Sequence, residues 1–271
     1  MEKQVEKVRK PKYAGSFYPA EPKELSKMVE KFVLEGKTSI PENAVLKALI
    51  VPHAGYIYSG PVAGAAYSVL KDFAPKRIVL FGPSHQQYFS GAYGFQNPWA
   101  SPLGEVKIAE HGLQLIEENN EHSLEVQLPF LQTVLKKFEF LPVLYGEIDA
   151  IDLASLVESY LDKDTVLVAS SDLSHYLPYE KAKRIDFETI NSVYLLDLEK
   201  FLQIGDACGK TGIGALIVLA KKHHWVPLLL QYKNSGDTAG DKKSVVGYAA
   251  IAFFSEKKEK KMNEKQNMVG K

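Results

Sequence analysis

Residues 45–51 read Val-Leu-Lys-Ala-Leu-Ile-Val and are followed directly by Pro52-His53-Ala54-Gly55. A short apolar run that ends in a Pro- and Gly-containing turn is typical of a strand buried in a parallel sheet. Similar apolar runs occupy residues 77–82, 139–144, 165–170, 226–232 and 244–254. Segments with helical spacing of apolar residues separate many of these runs. The sequence therefore predicts an α/β fold, a single domain whose central, mainly parallel sheet is covered by helices on both faces.

The spacing of apolar residues predicts helices over residues 24–35, 123–137, 152–161, 178–202 and 210–222. A further helix is predicted to open at Gly60-Pro61, because proline is favoured at a first helical position. Pro129 lies inside the segment 123–137 and predicts a kink or a restart there, because proline cannot donate a helical hydrogen bond.

The charge of the chain is unevenly distributed. The 271 residues include 33 basic and 33 acidic side chains, for a formal net charge of 0. Residues 1–12 and residues 255–271 each carry a net +3, which leaves −6 for residues 13–254. We predict a basic N-terminal tail (1–12), one domain (13–254) and a Lys/Glu-rich C-terminal tail (255–271). A neutral chain lacks the basic footprint of a nucleic-acid-binding domain, so no nucleic-acid partner is expected.

Cys208 is the single cysteine, which excludes an intramolecular disulfide and any zinc site built from two or more cysteines. The first residues lack the apolar core of a signal peptide. The longest apolar stretch is far shorter than the about 20 residues of a membrane span. These features predict a cytoplasmic protein with no membrane partner.

Polar residues follow four of the predicted strands. His53 follows the first, His85 the second, Asp172 and His175 the strand at 165–170, and Asp237 the strand at 226–232. Because the carboxyl ends of parallel strands meet at one edge of a sheet, where open α/β folds bind ligands, we expect these side chains to converge.

Two histidines and one carboxylate form the facial triad of non-haem ferrous sites, which leaves positions open for substrate and dioxygen. We predict His53, His85 and Asp237 as metal ligands. His175 is then the candidate general acid or base, because the ordinary pKa of histidine lies near physiological pH. Asp172 is a candidate for orienting His175 or binding substrate.

The remaining histidines and the cysteine carry weaker signals. His122 lies at a predicted helix start, where Ser123 is a candidate N-cap, and is a further candidate catalytic residue. His111, His223 and His224 are assigned no role. Cys208 is a candidate nucleophile or metal ligand, but a buried structural thiol is the commoner case.

Competing motifs are incomplete. Gly209-Lys210-Thr211 lacks the earlier glycine of a phosphate-binding loop, where Ile204 stands. No G-x-G-x-x-G follows the first strand, and the segment from Gly82 to Gln86 lacks the second glycine of a nucleophile elbow. Nucleotide binding and serine hydrolysis are therefore disfavoured.

Taken together, a set of short strings resembles the MEMO family, including prokaryotic members often called AmmeMemoRadiSam system protein B. The strings appear in family order over about residues 14–254: Ala14-Gly15-Ser16-Phe17-Tyr18-Pro19, Val51-Pro52-His53-Ala54-Gly55-Tyr56 with Tyr58-Ser59-Gly60, Gly82-Pro83-Ser84-His85, Glu121-His122-Ser123-Leu124-Glu125, Ser170-Ser171-Asp172-Leu173-Ser174-His175, Cys208-Gly209 and Asn234-Ser235-Gly236-Asp237.

The resemblance implies an α/β fold related to class III extradiol ring-cleaving dioxygenases. It places the family's first two ligand positions on His53 and His85, and its site Asp and His on Asp172 and His175. The animal MEMO protein uses a cysteine as its third ligand, whereas near the equivalent place this sequence has Asp237-Thr238. That departure argues against copper–thiolate chemistry and for a carboxylate ligand. The family's system name implies a functional link to radical SAM and AMMECR-type proteins.

Three functions remain open at this point. The first is a metal-binding, dioxygenase-like oxidoreductase in which Fe(II) acts on a catechol-like or other small-molecule substrate. The second is a non-catalytic binding module that keeps the pocket and recognises a partner peptide. The third is a zinc-dependent hydrolase with the same ligands. Fe(II) is the expected metal, with Cu and Zn as alternatives, and whether the chain is an enzyme is left open.

Overall fold

The computed structural model describes residues 7–117 and 120–256. Over these residues the strands are β1 (Ala44–Val51), β2 (Arg77–Pro83), β3 (Ala92–Gly94), β4 (Trp99–Ser101), β5 (Gly104–Val106), β6 (Glu139–Tyr145), β7 (Thr165–Ser170), β8 (Val226–Asn234) and β9 (Gly247–Glu256). The helices are α1 (Pro22–Glu35), α2 (Tyr56–Phe73), α3 (His122–Glu125), α4 (Leu128–Val134), α5 (Ala150–Glu158), α6 (Tyr179–Tyr194), α7 (Leu198–Ile204), α8 (Lys210–His223) and α9 (Ser235–Thr238).

The central sheet has seven strands in the order β3-β6-β2-β7-β1-β9-β8. Its four middle strands, from β6 to β1, are parallel to one another. Antiparallel strands flank them, β3 on one side and β9 with β8 on the other. The predicted α/β fold with a mainly parallel sheet is confirmed.

Two apolar cores lie on opposite faces of this sheet, because successive side chains of a strand point to opposite sides. In β1, Leu49 and Val51 pack with helices α1, α2 and α4, whereas Ala48 and Ile50 pack with α5, α6, α7 and α8. Both faces of the sheet are therefore covered by helices, as the sequence predicts.

The carboxyl ends of the middle strands meet at one edge of the sheet. Val51 at the end of β1 is paired with Ser170 at the end of β7. On the other side of β7, β2 runs in parallel and ends at Pro83. The segments that follow β1, β2 and β7 therefore leave the sheet side by side, and this convergence is what positions the site.

Two helix predictions differ from the structure. The helix predicted from Gly60-Pro61 begins earlier, at Tyr56, because the Gly55 carbonyl accepts the amides of Tyr58 and Ser59. The helix predicted over 178–202 is two helices. Leu196 adopts a left-handed φ of 52°, and the Asp197 side chain then caps α7 by accepting the Lys200 amide. The restart predicted at Pro129 is observed at the beginning of α4.

The predicted N-terminal tail, 1–12, includes residues that pack on the domain. Arg9 is 3% exposed, and its backbone amide donates to the Pro98 carbonyl at 2.8 Å. Its guanidinium pairs with the buried Glu125 carboxylate. The predicted C-terminal tail, 255–271, begins inside β9, and its residues 257–271 lie outside the described part of the chain.

Within residues 7–117 and 120–256, every helix is too short or too polar to cross a membrane.

Candidate metal centre

His53 lies directly beyond the end of β1 and is 2% exposed. Its backbone amide donates to Asp172 Oδ1 at 2.8 Å, so the segments after β1 and β7 are tied together. Its ring Nδ1 lies 3.0 Å from Ser170 Oγ, and its Nε2 lies 3.1 Å from Cys208 Sγ. The imidazole is therefore held from both sides.

The hydrogen bonds of Ser170 fix the tautomer of His53. The Ser170 hydroxyl donates its one proton to the Ser123 carbonyl at 2.5 Å. Gln127 Nε2 donates to Ser170 Oγ at 2.9 Å, and the Pro52 carbonyl, which can only accept, fixes the orientation of that amide. Ser170 Oγ is then an acceptor for His53, so Nδ1 carries the ring proton. His53 Nε2 consequently presents a lone pair, as a metal ligand must.

His85 is oriented by a buried carboxylate. Its ring Nδ1 lies 3.0 Å from Glu121 Oε1, and its backbone amide donates to Glu121 Oε2 at 2.5 Å. A carboxylate that accepts from Nδ1 leaves Nε2 free to bind a metal, the arrangement found around many metal-bound histidines.

Glu121 also caps helix α3. Its Oε1 accepts the amides of His122 and Ser123, both at 2.9 Å, and the cap predicted for Ser123 is therefore supplied by Glu121. The Ser123 hydroxyl donates to the Pro83 carbonyl instead. Burial acts to raise the pKa of Glu121, but the hydrogen bonds from His85 and the Ser123 amide outweigh it and lower the pKa to about 2. Glu121 is thus a carboxylate at neutral pH.

Cys208 supplies a third donor, from the segment that precedes α8. One donor atom each from His53, His85 and Cys208 lie within 4.8 Å of one another. The Asp172 amide donates to Cys208 Sγ at 3.2 Å, which favours a thiolate. Burial and then the nearby Asp172 raise the pKa of Cys208 to about 12, so the thiol is protonated at neutral pH until a cation replaces its proton.

Asp237, the predicted third ligand, is not brought into this group. Its Oδ2 accepts the Asn234 amide at 2.9 Å in a capping box, and its Oδ1 accepts the Tyr179 hydroxyl at 2.6 Å. The carboxylate is used to begin α9 and to hold α6. Among the described residues, the groups with metal-ligand spacing that contain His53 or His85 are completed by Cys208, or by Glu121 with His122.

A cavity of about 830 Å³ opens beside two of the donors, His53 and His85, which both line it. Its walls include the other predicted site residues, Asp172, His175 and His122. The ring of His122 lies 4.7 Å from that of His85 and 5.3 Å from that of His53, measured between centroids. The further lining residues are Phe17, His53, Ala54, Gly55, Tyr58, His85, Tyr176, Ser235, Ala239, Asp241, Ser244, Val246 and Tyr248.

The polar groups of the cavity have pKa values shifted by burial. Burial raises the pKa of Asp172 to about 7, against the opposing effect of the His53 and Ala54 amides that donate to it. Burial lowers the pKa of His175 below its usual range, so its imidazole is neutral at pH 7. A neutral imidazole and a carboxyl that titrates near neutrality can both exchange protons with a bound molecule.

Sequence reasoning raised Cys208 as an alternative ligand but selected Asp237, and it passed over Glu121 and Ser170. Cys208 follows no strand, so the rule that selected His53 and His85 passes over it. Each of the three nevertheless lies in a string that carries the family resemblance, beside residues that were selected.

The donor set fits a metal ion. Both histidines present Nε2 lone pairs through fixed tautomers, and the thiol completes a set of two nitrogens and one sulfur at the edge of a parallel sheet. These features define an α/β protein with a candidate metal-ligand group beside a cavity.

The chain belongs to the Memo-like protein family, whose model matches residues 9–252. A MEMO1 family protein of Sulfurisphaera tokodaii is 36% identical, in an alignment that covers 91% of this chain and 99% of the relative. A MEMO1 family protein of Methanopyrus kandleri is 37% identical and covers 90% and 98% of the two chains. The resemblance predicted from the sequence is confirmed. A solved structure of an uncharacterized protein from Escherichia coli K12 aligns with 76% of this chain and 99% of its own, at 11% identity and a TM-score of 0.49.

Proposed function

We propose that this protein binds one redox-active metal ion through His53, His85 and Cys208 and acts as an oxidoreductase on a small molecule held in the adjoining cavity. The observation that carries the proposal is the convergence of three donor atoms within 4.8 Å. Both imidazoles are already held in the tautomer that exposes Nε2, by Ser170 and by Glu121.

The donor types bear on the identity of the metal. Imidazole ligands suit iron, copper and zinc. A thiolate ligand favours the softer ions Cu(I) and Zn(II), whereas the carboxylate first predicted as third ligand would favour iron. We retain Fe(II) as the first candidate because two histidines and one anionic donor leave coordination positions open. Copper is the second candidate, because Cys208 rather than the predicted Asp237 completes the group of three donor atoms.

A bound Fe(II) would supply open positions for a substrate oxygen and for dioxygen. The protein's own groups would handle the substrate. His175, neutral at pH 7, would accept a proton from a substrate hydroxyl, and Asp172 would hold that hydroxyl or share the proton. The rings of Phe17 and Tyr248 would exclude water from one side of the cavity.

The test is anaerobic equilibrium dialysis of the purified protein against Fe(II), Cu(I) and Zn(II), each alone. Wild type is expected to bind one equivalent of one of these metals, with Fe(II) as the first candidate. His53→Ala, His85→Ala and Cys208→Ala are each expected to lose more than about 100-fold in affinity, beyond the 10–100-fold typical of outer-shell changes.

Two variants serve as controls. His223→Ala removes a surface imidazole that pairs with Glu158, and Asp237→Asn removes the carboxylate first predicted as a ligand. Both are expected to bind like wild type. Equal metal retention in wild type, His53→Ala and His85→Ala would contradict the proposal, and loss of metal in Asp237→Asn alone would return the third position to Asp237.

A further inference from the structure

The loop between β7 and α6, residues 171–178, carries His175 and lies outside the helices and strands. We call it the His175 loop. Just before His175, two backbone hydrogen bonds fasten it to the first residue of β9. The Leu173 amide donates to the Gly247 carbonyl at 2.8 Å, and the Gly247 amide donates to the Ser174 carbonyl at 2.9 Å. The chain therefore arrives at His175 from a fixed point.

The residue after His175 has a strained backbone. The φ of Tyr176 is 57°, in the left-handed region that is unfavourable for a bulky side chain. Directly beyond it the loop is pinned again, because the Val245 amide donates to the Leu177 carbonyl at 2.8 Å. Such strain persists only where the surrounding contacts over-determine the conformation. The strained turn brings both side chains to the cavity wall, with their rings T-shaped at 5.8 Å between centroids.

Asp186, on α6, ties the His175 loop to the rest of the domain. Its Oδ1 accepts the Ser174 amide at 3.0 Å, and its Oδ2 accepts the hydroxyl of Tyr232, on β8, at 2.7 Å. The side chain of Asp186 is fully buried. One carboxyl group thus joins α6, β8 and the residue directly before His175.

Gly247 provides the room for this carboxyl group. A Cβ atom at Gly247 would lie 2.0 Å from Asp186 Oδ2, far inside contact distance. The two groups that donate to the carboxyl, an amide and a phenol, are both neutral. A carboxyl buried among neutral donors costs free energy. A costly group that fixes the residue before His175 indicates that it positions the loop rather than fills space.

We propose that Asp186 is a positioning residue for His175: its carboxyl group holds the His175 loop so that the strained turn keeps the His175 imidazole at the cavity wall. The inference goes beyond the proposed function and rests on it only for the proton that His175 moves. Without the bond to Ser174 the turn at Tyr176 can relax, and the imidazole leaves the geometry that proton transfer requires.

The test is nuclear magnetic resonance of the full chain, recorded without metal and again with diamagnetic Zn(II). Backbone order parameters report the rigidity of His175 and Tyr176, and the ring resonance of His175, identified with His175→Gln, reports its surroundings. We expect order parameters of about 0.85 in wild type and below about 0.6 in Asp186→Ala, the values of rigid and flexible backbone. In that variant the His175 resonance should move towards that of free histidine, whereas that of His53, held by Ser170, should stay.

Three further variants complete the test. Asp186→Asn is the rescue variant, because its amide oxygen can still accept the Ser174 amide, and it is expected to keep order parameters of about 0.85. Val193→Ala opens a buried site two turns further along α6 and leaves the bond between Asp186 and Ser174 in place. It is expected to lower the thermal midpoint but to keep the loop rigid. Asp186→Leu fills the volume of the carboxyl and replaces Asp186→Ala if that variant does not fold.

Order parameters and a His175 resonance like those of wild type in Asp186→Ala or Asp186→Leu would overturn the inference. An equal loss of rigidity in Val193→Ala or in Asp186→Asn would also overturn it. The measurement needs neither turnover nor metal. Failure of the proposed function is therefore distinguishable, because it appears as absence of metal binding in the dialysis experiment and leaves the result for the His175 loop unchanged.

Discussion

Arg9 forms a buried ion pair with Glu125, 116 residues further along the chain, with Arg9 Nη1 2.7 Å from Glu125 Oε2. Glu125 also accepts the amides of Lys12 and Tyr13 and the hydroxyl of Tyr18. The segment that begins at Arg9 is therefore fastened to helix α3, which begins at His122 and ends at Glu125. We propose that the domain includes Arg9, four residues before the predicted boundary at residue 13.

Arg9→Ala is expected to destabilise the protein by about 3 kcal/mol, because removing one partner of a buried ion pair leaves an uncompensated charge. The measurement is the free energy of unfolding in urea. Lys10→Ala, which removes an exposed positive charge next along the chain, is the control and is expected to change stability by less than about 0.5 kcal/mol. A similar small effect for both variants would contradict the prediction.

Glu121→Gln is expected to weaken metal binding by about 10–100-fold while the protein stays folded. A neutral amide oxygen accepts the His85 Nδ1 proton less strongly than the carboxylate does, but it can still accept the His122 and Ser123 amides that begin α3. The amide nitrogen that replaces Oε2 can no longer accept the His85 backbone amide, which further loosens His85. Metal affinity is measured by competition with a chelator, and folding by the thermal midpoint. Glu110→Gln, on an exposed glutamate, is the control. Unchanged affinity in Glu121→Gln would show that this carboxylate does not support the site.

Asp186 predicts a pH dependence of stability. Its carboxyl is fully buried, where it accepts the Ser174 amide at 3.0 Å and the Tyr232 hydroxyl at 2.7 Å. Burial raises its pKa above the ordinary value of 3.8, despite those hydrogen bonds. A raised carboxyl pKa means that the unfolded chain releases this proton more readily, so the contribution of Asp186 to stability falls as pH rises from 3.8 through its folded pKa.

The amide side chain of the Asp186→Asn variant cannot ionise, so the variant does not lose stability at this position as the pH rises. Its free energy of unfolding relative to wild type is therefore expected to increase as the pH is raised from about 4, and to level off above the folded pKa. Urea unfolding at a series of pH values measures the difference. Asp72→Asn, on an exposed aspartate, should show no such rise. A difference that stays flat, or falls with increasing pH, would refute the assignment.

The strands of the sheet could be predicted from the sequence because strands buried on both faces are continuous apolar runs. The run 45–51 corresponds to Ala44–Val51, and 165–170 to Thr165–Ser170. The short strands β3 to β5 have three residues each and too little pattern to be recognised. The start of α2 was misplaced because the Gly55 carbonyl opens the helix before the proline that the rule relies on.

The candidate site was predictable where a candidate ligand lies two residues beyond a parallel strand, as His53 and His85 do. The third donor of the group could not be predicted by this rule. Asp237 satisfies the same rule, but β8 is an antiparallel edge strand, and a short polar side chain after it serves its own backbone by capping α9. Cys208 reaches the centre from the loop before α8, and only its contact with His53 reveals that.

The positions of the donors along the chain have a consequence for the order in which the protein matures. His53 and Cys208 are 155 residues apart and meet only when the parallel strands have assembled. An unfolded chain offers no preformed cage, so a metal cannot nucleate this fold as zinc does in a zinc finger. Loading of the proposed centre would instead be a step after folding. A bound ion would then raise the stability of the finished domain by mass action, by about 2.7 kcal/mol at a free concentration 100 times the dissociation constant.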